Sequence, residues 1–177
     1  MSSLIPSGSA SGTGSMSLVA PVTNSNRTVT LPDADGIIMV SSAMPAFSAY
    51  SNAQQTISGS TWTKVVCGVE EFDTNSNYTS SIFTPTVAGY YQVSGSISWG
   101  ATTSVSRGFI QVYKNGGTFK YLSDLTSPNR SGGSCLIYMN GTTDYIELYG
   151  YMTGTGTLYF DNSSYGTYFQ AAMVRAA

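Results

Sequence analysis

The chain of 177 residues contains no histidine. That removes the Ser-His-Asp and Cys-His nucleophile systems and the two-histidine zinc motif. Charge is scarce. Only 9% of residues are Asp, Glu, Lys or Arg, the net charge is −2, and no Lys/Arg cluster exists. An electrostatic footprint for nucleic acid is therefore missing. No run approaches the roughly 18 apolar residues of a membrane helix, so no membrane insertion is expected. Two cysteines, Cys67 and Cys135, are too few for a disulfide scaffold and lack partners at zinc spacing. They read as buried thiols, with a disulfide as the second reading. No Walker-type or dinucleotide-type phosphate loop occurs, and "GSASGTG" precedes no helical pattern, so it reads as a linker. The N-terminus has neither a basic n-region nor an apolar h-region, so a secretory signal is not visible.

What replaces charge is Ser, Thr, Asn and Gly, a mixture suited to sheets joined by turns. Residues 1–15 form a Ser/Gly/Thr-rich leader of linker composition. Residues 16–44 hold short extended runs broken by Pro, Asn and Asp-Gly. From residue 45 onward strand signals recur every 10–15 residues. In "YYQVSGSISW" Tyr91, Val93, Ile97 and Trp99 share one face, while Tyr90, Gln92, Ser94, Ser96 and Ser98 share the other. This period of two is the half-buried antiparallel pattern. "TKVVCGVEEF" reads as one strand with Val65, Cys67 and Val69 on one face. "RGFIQVYKNGG" runs into an Asn115-Gly116 turn, and "CLIYMNGTTDYIELYGY" reads as two strands around Asn140-Gly141. No 3.6-residue period persists over ten residues. The expectation is an all-β sandwich or jelly roll of about eight to ten strands.

Carboxylates are the only candidates for catalysis. Glu70, Glu71 and Asp73 cluster at one strand end, and Asp144 and Glu147 lie near another. A pair at the right separation could hydrolyse glycosides; solvated strand ends are the plainer reading. No EF-hand-like loop offers a calcium site, and an ion held between subunits is a second reading. Neither a metal nor any other cofactor is expected. Aromatics are the largest surplus, with 13 Tyr, 7 Phe and 2 Trp. Tyrosine suits subunit interfaces and also stacking on sugar rings. Tyr165, in the turn "DNSSYGTY", is the candidate ligand surface.

The ordered segments "PAFSAY", "TKVVCGVEEFDTNSNY", "FTPTVAGYYQVSGSISW", "YKNGG", "SGGSCLIYMNGTTDYIELYGY" and "TYFQAAMV" resemble the C1q/tumour-necrosis-factor-like jelly roll over residues 45–177. The Gly-Thr-Thr-Asp turn and the Gln170-Ala171 pair after Phe169 depart from the family pattern. The resemblance implies a ten-stranded jelly-roll head that forms a homotrimer and binds rather than catalyses. By motif position it implies that Phe47, Tyr91, Val93, Tyr149, Phe169 and Met173 supply core and axial packing. Upstream, "GTGSMSLVAPVTNSNRTVTLPDADGIIM" resembles an extended trimeric module of bacteriophage fibre and appendage proteins. A single copy of residues 16–44 cannot bury Leu18, Val29, Leu31, Ile37, Ile38 and Met39 against itself, whereas three copies about an axis can. Burying six such side chains contributes on the order of 10 kcal/mol per chain before entropy is charged.

Together these readings predict residues 1–44 as an N-terminal anchor and trimerisation segment and 45–177 as the head. They predict a structural and binding component of a bacteriophage virion: a head fibre, a decoration protein or a short tail-fibre tip. Its partners would be itself, as a homotrimer, a capsid or tail protein through the N-terminus, and a host-surface glycan or receptor. It would assemble in the host cytoplasm and lie on the virion surface. The alternative is a carbohydrate-binding module for bacterial surface glycans; a glycan-degrading enzyme ranks below it. A secreted C1q-like ligand is disfavoured, because no collagen-like Gly-X-Y repeat is present.

Overall fold

A computed structural model describes residues 43–177 continuously and, before them, only 11–13, 17, 19, 22, 24–26, 28 and 40. Leu18, Val29, Leu31, Ile37, Ile38 and Met39 lie outside the described residues. The chain divides into two units, Met1–Ile37 and Ile38–Ala177.

Thirteen strands build the second unit: β1 Ala46–Tyr50, β2 Gln55–Ile57, β3 Thr63–Lys64, β4 Val69–Asp73, β5 Tyr78–Thr79, β6 Ile82–Phe83, β7 Gly89–Ala101, β8 Ser104–Lys114, β9 Gly117–Thr126, β10 Arg130–Met139, β11 Ile146–Thr155, β12 Leu158–Phe160 and β13 Tyr168–Ala176. They form two antiparallel sheets. The first runs β2-β12-β7-β13-β1-β4, with β10 on the other edge of β7. The second runs β5-β6-β11-β8-β9, with β3 also on β11. The expected ten strands become thirteen because several are fragments. "TKVVCGVEEF" is not one strand: Thr63–Lys64 pairs with β11 in the second sheet, and Val69–Asp73 pairs with β1 in the first. The chain changes sheets between them. Val65 N–H donates to the Leu148 carbonyl at 2.9 Å and Cys67 N–H to Ser81 Oγ at 3.0 Å. Those bonds satisfy backbone groups that a ladder would otherwise pair.

The alternation in β7 carries directly into burial. Tyr91, Val93, Ile97 and Trp99 point between the sheets. Across from them stand Ile110, Val112, Ile146, Leu148 and Met152. At one end Phe47 stacks on Tyr78 and on Phe83, each at 4.5 Å, and meets Phe169 edge-on at 5.1 Å. At the other, Trp99 meets Phe160 edge-on at 5.6 Å and donates its indole N–H to Ser131 Oγ at 2.7 Å. A buried indole or phenol needs such a partner. Tyr91 finds one too, donating to the Val87 carbonyl at 2.7 Å.

The β8–β9 turn has φ of 53° at Asn115 and 77° at Gly116. Both values are left-handed, as a two-residue type I′ hairpin requires. Asn115 also reaches across to the second Asn-Gly loop, donating from Nδ2 to Asp144 Oδ1 at 2.8 Å. Asp144 Oδ2 takes the Asn140 N–H at 3.0 Å and pairs with Lys114 Nζ at 2.8 Å. One carboxylate thus ties both turns together.

Candidate functional site: two aromatic faces

The predicted packing residues divide in two. Phe47, Tyr91, Val93, Phe169 and Met173 are buried between the sheets. Tyr149 is not. In β11 the inward side chains are Ile146, Leu148 and Met152, with Gly150 between the last two, so Tyr149 points out of the second sheet. It stacks on Tyr113 with centroids 3.9 Å apart. Its inward neighbour is glycine for a steric reason. A Cβ on Gly150 would stand 2.6 Å from the Phe160 ring and 2.7 Å from Ile97 Cδ1.

The five buried residues face the core, and among the described residues nothing lies over the opposite side of the first sheet. That side displays Tyr90 from β7, Leu136 and Tyr138 from β10, Val174 from β13 and Phe72 from β4, all exposed. Tyr90 and Tyr138 are cross-strand partners with rings 5.6 Å apart. Between the apolar groups runs a shallow groove of about 230 Å³ lined by Phe72, Gln92, Ser94, Gln170 and Ala172. Ser48, the cross-strand partner of both Phe72 and Gln170, donates to Glu71 Oε2 at 2.6 Å. A contiguous apolar patch of this kind marks an interaction surface. The signal for this face is the other half of the β7 alternation, where Tyr90 breaks an otherwise polar row.

The outer side of the second sheet carries a different feature. In β8 the outward positions are Arg107, Phe109, Gln111 and Tyr113. In β11 they are Glu147, Tyr149, Tyr151 and Thr153, and the register sets Tyr151 opposite Phe109 and Thr153 opposite Arg107. Tyr121 joins from β9 and Trp62 from the loop before β3. Trp62 is the hub, with ring centroids 5.3 Å from Tyr151, 5.9 Å from Tyr121, 6.2 Å from Phe109 and 6.3 Å from Tyr113. The Arg107 guanidinium lies 4.6 Å over the Phe109 ring. Asp124 holds it in a two-pronged pair, Nε to Oδ1 at 2.9 Å and Nη2 to Oδ2 at 2.8 Å. The same hydrogen bonds hold the Asp124 carboxyl below the usual range. Trp62, Arg107, Phe109, Tyr121, Tyr151 and Thr153 line an open cleft of about 380 Å³.

The carboxylates that could have formed a catalytic pair are occupied elsewhere. Asp144 and Glu147 are buried rather than solvated and pair with Lys114 and Lys64. Glu71 accepts from Ser48, and Asp73 takes the Tyr78 N–H at 2.7 Å. Neither cleft is lined by a carboxylate. Among the described residues no group of three or more His, Cys, Asp or Glu could hold a metal ion. Cys67 and Cys135 are free and buried. Tyr165 is 80% exposed and lines neither cleft.

No family model matches the chain, and no curated relative matches it. Solved structures do. The globular domain of zebrafish complement 1qA protein shares 14% identity over 75% of this chain and 98% of its own, at a TM-score of 0.54. Murine APRIL shares 11% over 74% and 99%, at 0.58. PRD1 vertex protein P5 shares 13% over 75% and 73%, at 0.53. The fold is a C1q/TNF-like jelly roll. In this jelly roll the two aromatic surfaces lie on opposite sheets.

Proposed function

We propose that this chain is a homotrimeric, non-enzymatic structural and binding protein of a bacteriophage virion. Its jelly-roll head would face outward, for host attachment or capsid decoration. The observation that carries the trimer is the open face of the first sheet. Tyr90, Phe72, Leu136, Tyr138 and Val174 form an apolar display that a monomer would have to leave in water. A second or third copy laid on this face would bury it, and the Gln92, Ser94 and Gln170 strip would supply hydrogen bonds across the interface.

Three further points support the virion reading. PRD1 vertex protein P5, a phage vertex protein, has the same fold. The segment "NSNRTVTLPDADG" resembles phage appendage modules. A head that binds weakly at each of three sites gains strength when many trimers act on one particle. The experiment is light scattering after gel filtration, followed by electron microscopy of particles labelled on this protein. A mass three times that of the 18.7 kDa chain and label on the particle surface are expected. A monomer, or no label on particles, defeats the reading.

A further inference from the structure

We propose that the cleft on the outer face of the second sheet binds a neutral pyranose ring of a glycan, with Trp62, Phe109, Tyr121 and Tyr151 as stacking surfaces and Arg107 and Thr153 as the polar wall. This names a ligand and a place for the attachment reading above, and it rests on that reading only for its biological role.

Four observations lead to it. The first is that these side chains do not serve the core. Phe109, Tyr121 and Tyr151 occupy outward positions of β8, β9 and β11, where solvent-facing strands ordinarily carry polar residues, and Trp62 meets them from the loop before β3. The second is geometry. The rings meet one another edge-on or tilted rather than in a flat stack, with Trp62 at their centre. They flank an open cleft of about 380 Å³, near the lower end of the range for small-molecule sites. A pyranose presents one face of C–H groups and a rim of hydroxyls. Its C–H face needs a flat apolar partner, and its hydroxyls need donors and acceptors at the edge.

The third observation is that such a rim exists. Asp124 engages Arg107 through Nε and Nη2, which fixes the guanidinium plane and leaves its remaining N–H groups to donate to a hydroxyl oxygen. The Thr153 hydroxyl, opposite Arg107 in the register, can both donate and accept. The fourth is charge. Asp124 cancels Arg107, and the cleft lining holds no other charged side chain. An anionic sugar or a phosphate would find no net attraction, whereas a neutral polyol loses nothing. A second copy of this chain fits less well, because its approach would strip water from an ion pair at the cleft wall, and interface centres are depleted of charge.

The test uses the full chain and saturation-transfer NMR. The probes are the methyl glycosides of glucose, galactose, mannose and N-acetylglucosamine, with methyl sialoside as the anionic arm. At least one neutral glycoside should receive saturation, with weak millimolar affinity, and the sialoside should not. Trp62→Ala should weaken binding at least tenfold. Arg107→Ala should do the same. The Arg107–Asp124 pair is exposed and such pairs add little stability, so that variant keeps the readout available if Trp62→Ala fails to fold. Tyr90→Ala, on the other sheet, should leave binding unchanged.

Absence of saturation with every neutral glycoside, or unchanged binding in Arg107→Ala, overturns the proposal. So does a drop in oligomeric mass in Trp62→Ala, which would make the cleft a contact between copies. A wild-type protein that is monomeric yet binds the glycoside would defeat the trimer reading and leave this one standing.

Discussion

Tyr149 lies flat on Tyr113, centroids 3.9 Å apart and planes inclined by 15°. The pair is diagonal across β11 and β8 on the outside of the second sheet, and its contribution is that of a surface aromatic contact, about 1 kcal/mol. Tyr149→Ala should therefore lower unfolding free energy by roughly that amount in urea titration, with the oligomeric mass unchanged. A loss of about 4 kcal/mol, of the size expected for a core aromatic, would place the ring inside the protein.

Phe47 gives the contrast. It is fully buried and touches three other rings, Tyr78, Phe83 and Phe169. Phe47→Ala should cost about 3–5 kcal/mol, since the stack around it cannot collapse into the space. Thermal denaturation with circular dichroism measures it.

The open face of the first sheet predicts an assembly defect without a folding defect. Leu136→Glu or Tyr138→Glu puts a charge where three copies would meet, yet both side chains are exposed in the single chain. The elution mass should fall toward 18.7 kDa while the circular dichroism spectrum is retained. An unchanged mass in both variants would remove this face from the interface.

Asp144 sets a pH dependence. Burial raises its carboxyl pKa, but the hydrogen bonds from Asn115, Lys114 and the Asn140 N–H outweigh it, and the net shift is downward. A depressed folded value means the stabilisation is present above the unfolded pKa, about 3.9, and is lost as pH falls through the lower folded value. Asp144→Asn should be less stable than wild type at pH 7. The difference should shrink below about pH 4, and chemical denaturation at several pH values will show it. A gap that widened in acid would contradict the assignment.

The thiols predict chemical silence. Burial pushes the Cys67 thiol up to about 12 and also raises Cys135. At about pH 8 neither holds an appreciable thiolate fraction, so iodoacetamide should modify neither in the native protein and both after denaturation, as mass spectrometry would record. Rapid native labelling of Cys67 would mean that the β3–β4 crossing opens.

Alternation makes the central strand legible. Polar and apolar residues separate cleanly in "YYQVSGSISW", so the period of two assigns both faces of β7, and Asn115-Gly116 announces the β8–β9 hairpin. β11 is not legible in this way. In "YIELYGY" one parity holds Ile146 and Leu148 but also a glycine, while the other mixes Glu147 with Tyr149 and Tyr151, so the local pattern gives a divided signal about which side turns inward. The space left by Phe160 and Ile97 decides it, because only a glycine fits at position 150.

By itself the sequence determined an all-β head with its central strand, its tight turns and a chain without histidine chemistry. These follow from local backbone chemistry and a period of two. Only the tertiary structure decided which aromatics meet. Trp62 comes from a loop, Phe109 from β8, Tyr121 from β9 and Tyr151 from β11, and no spacing along the chain encodes their approach. The ladders between distant strands bring them to one face, and that register is a property of the closed sandwich.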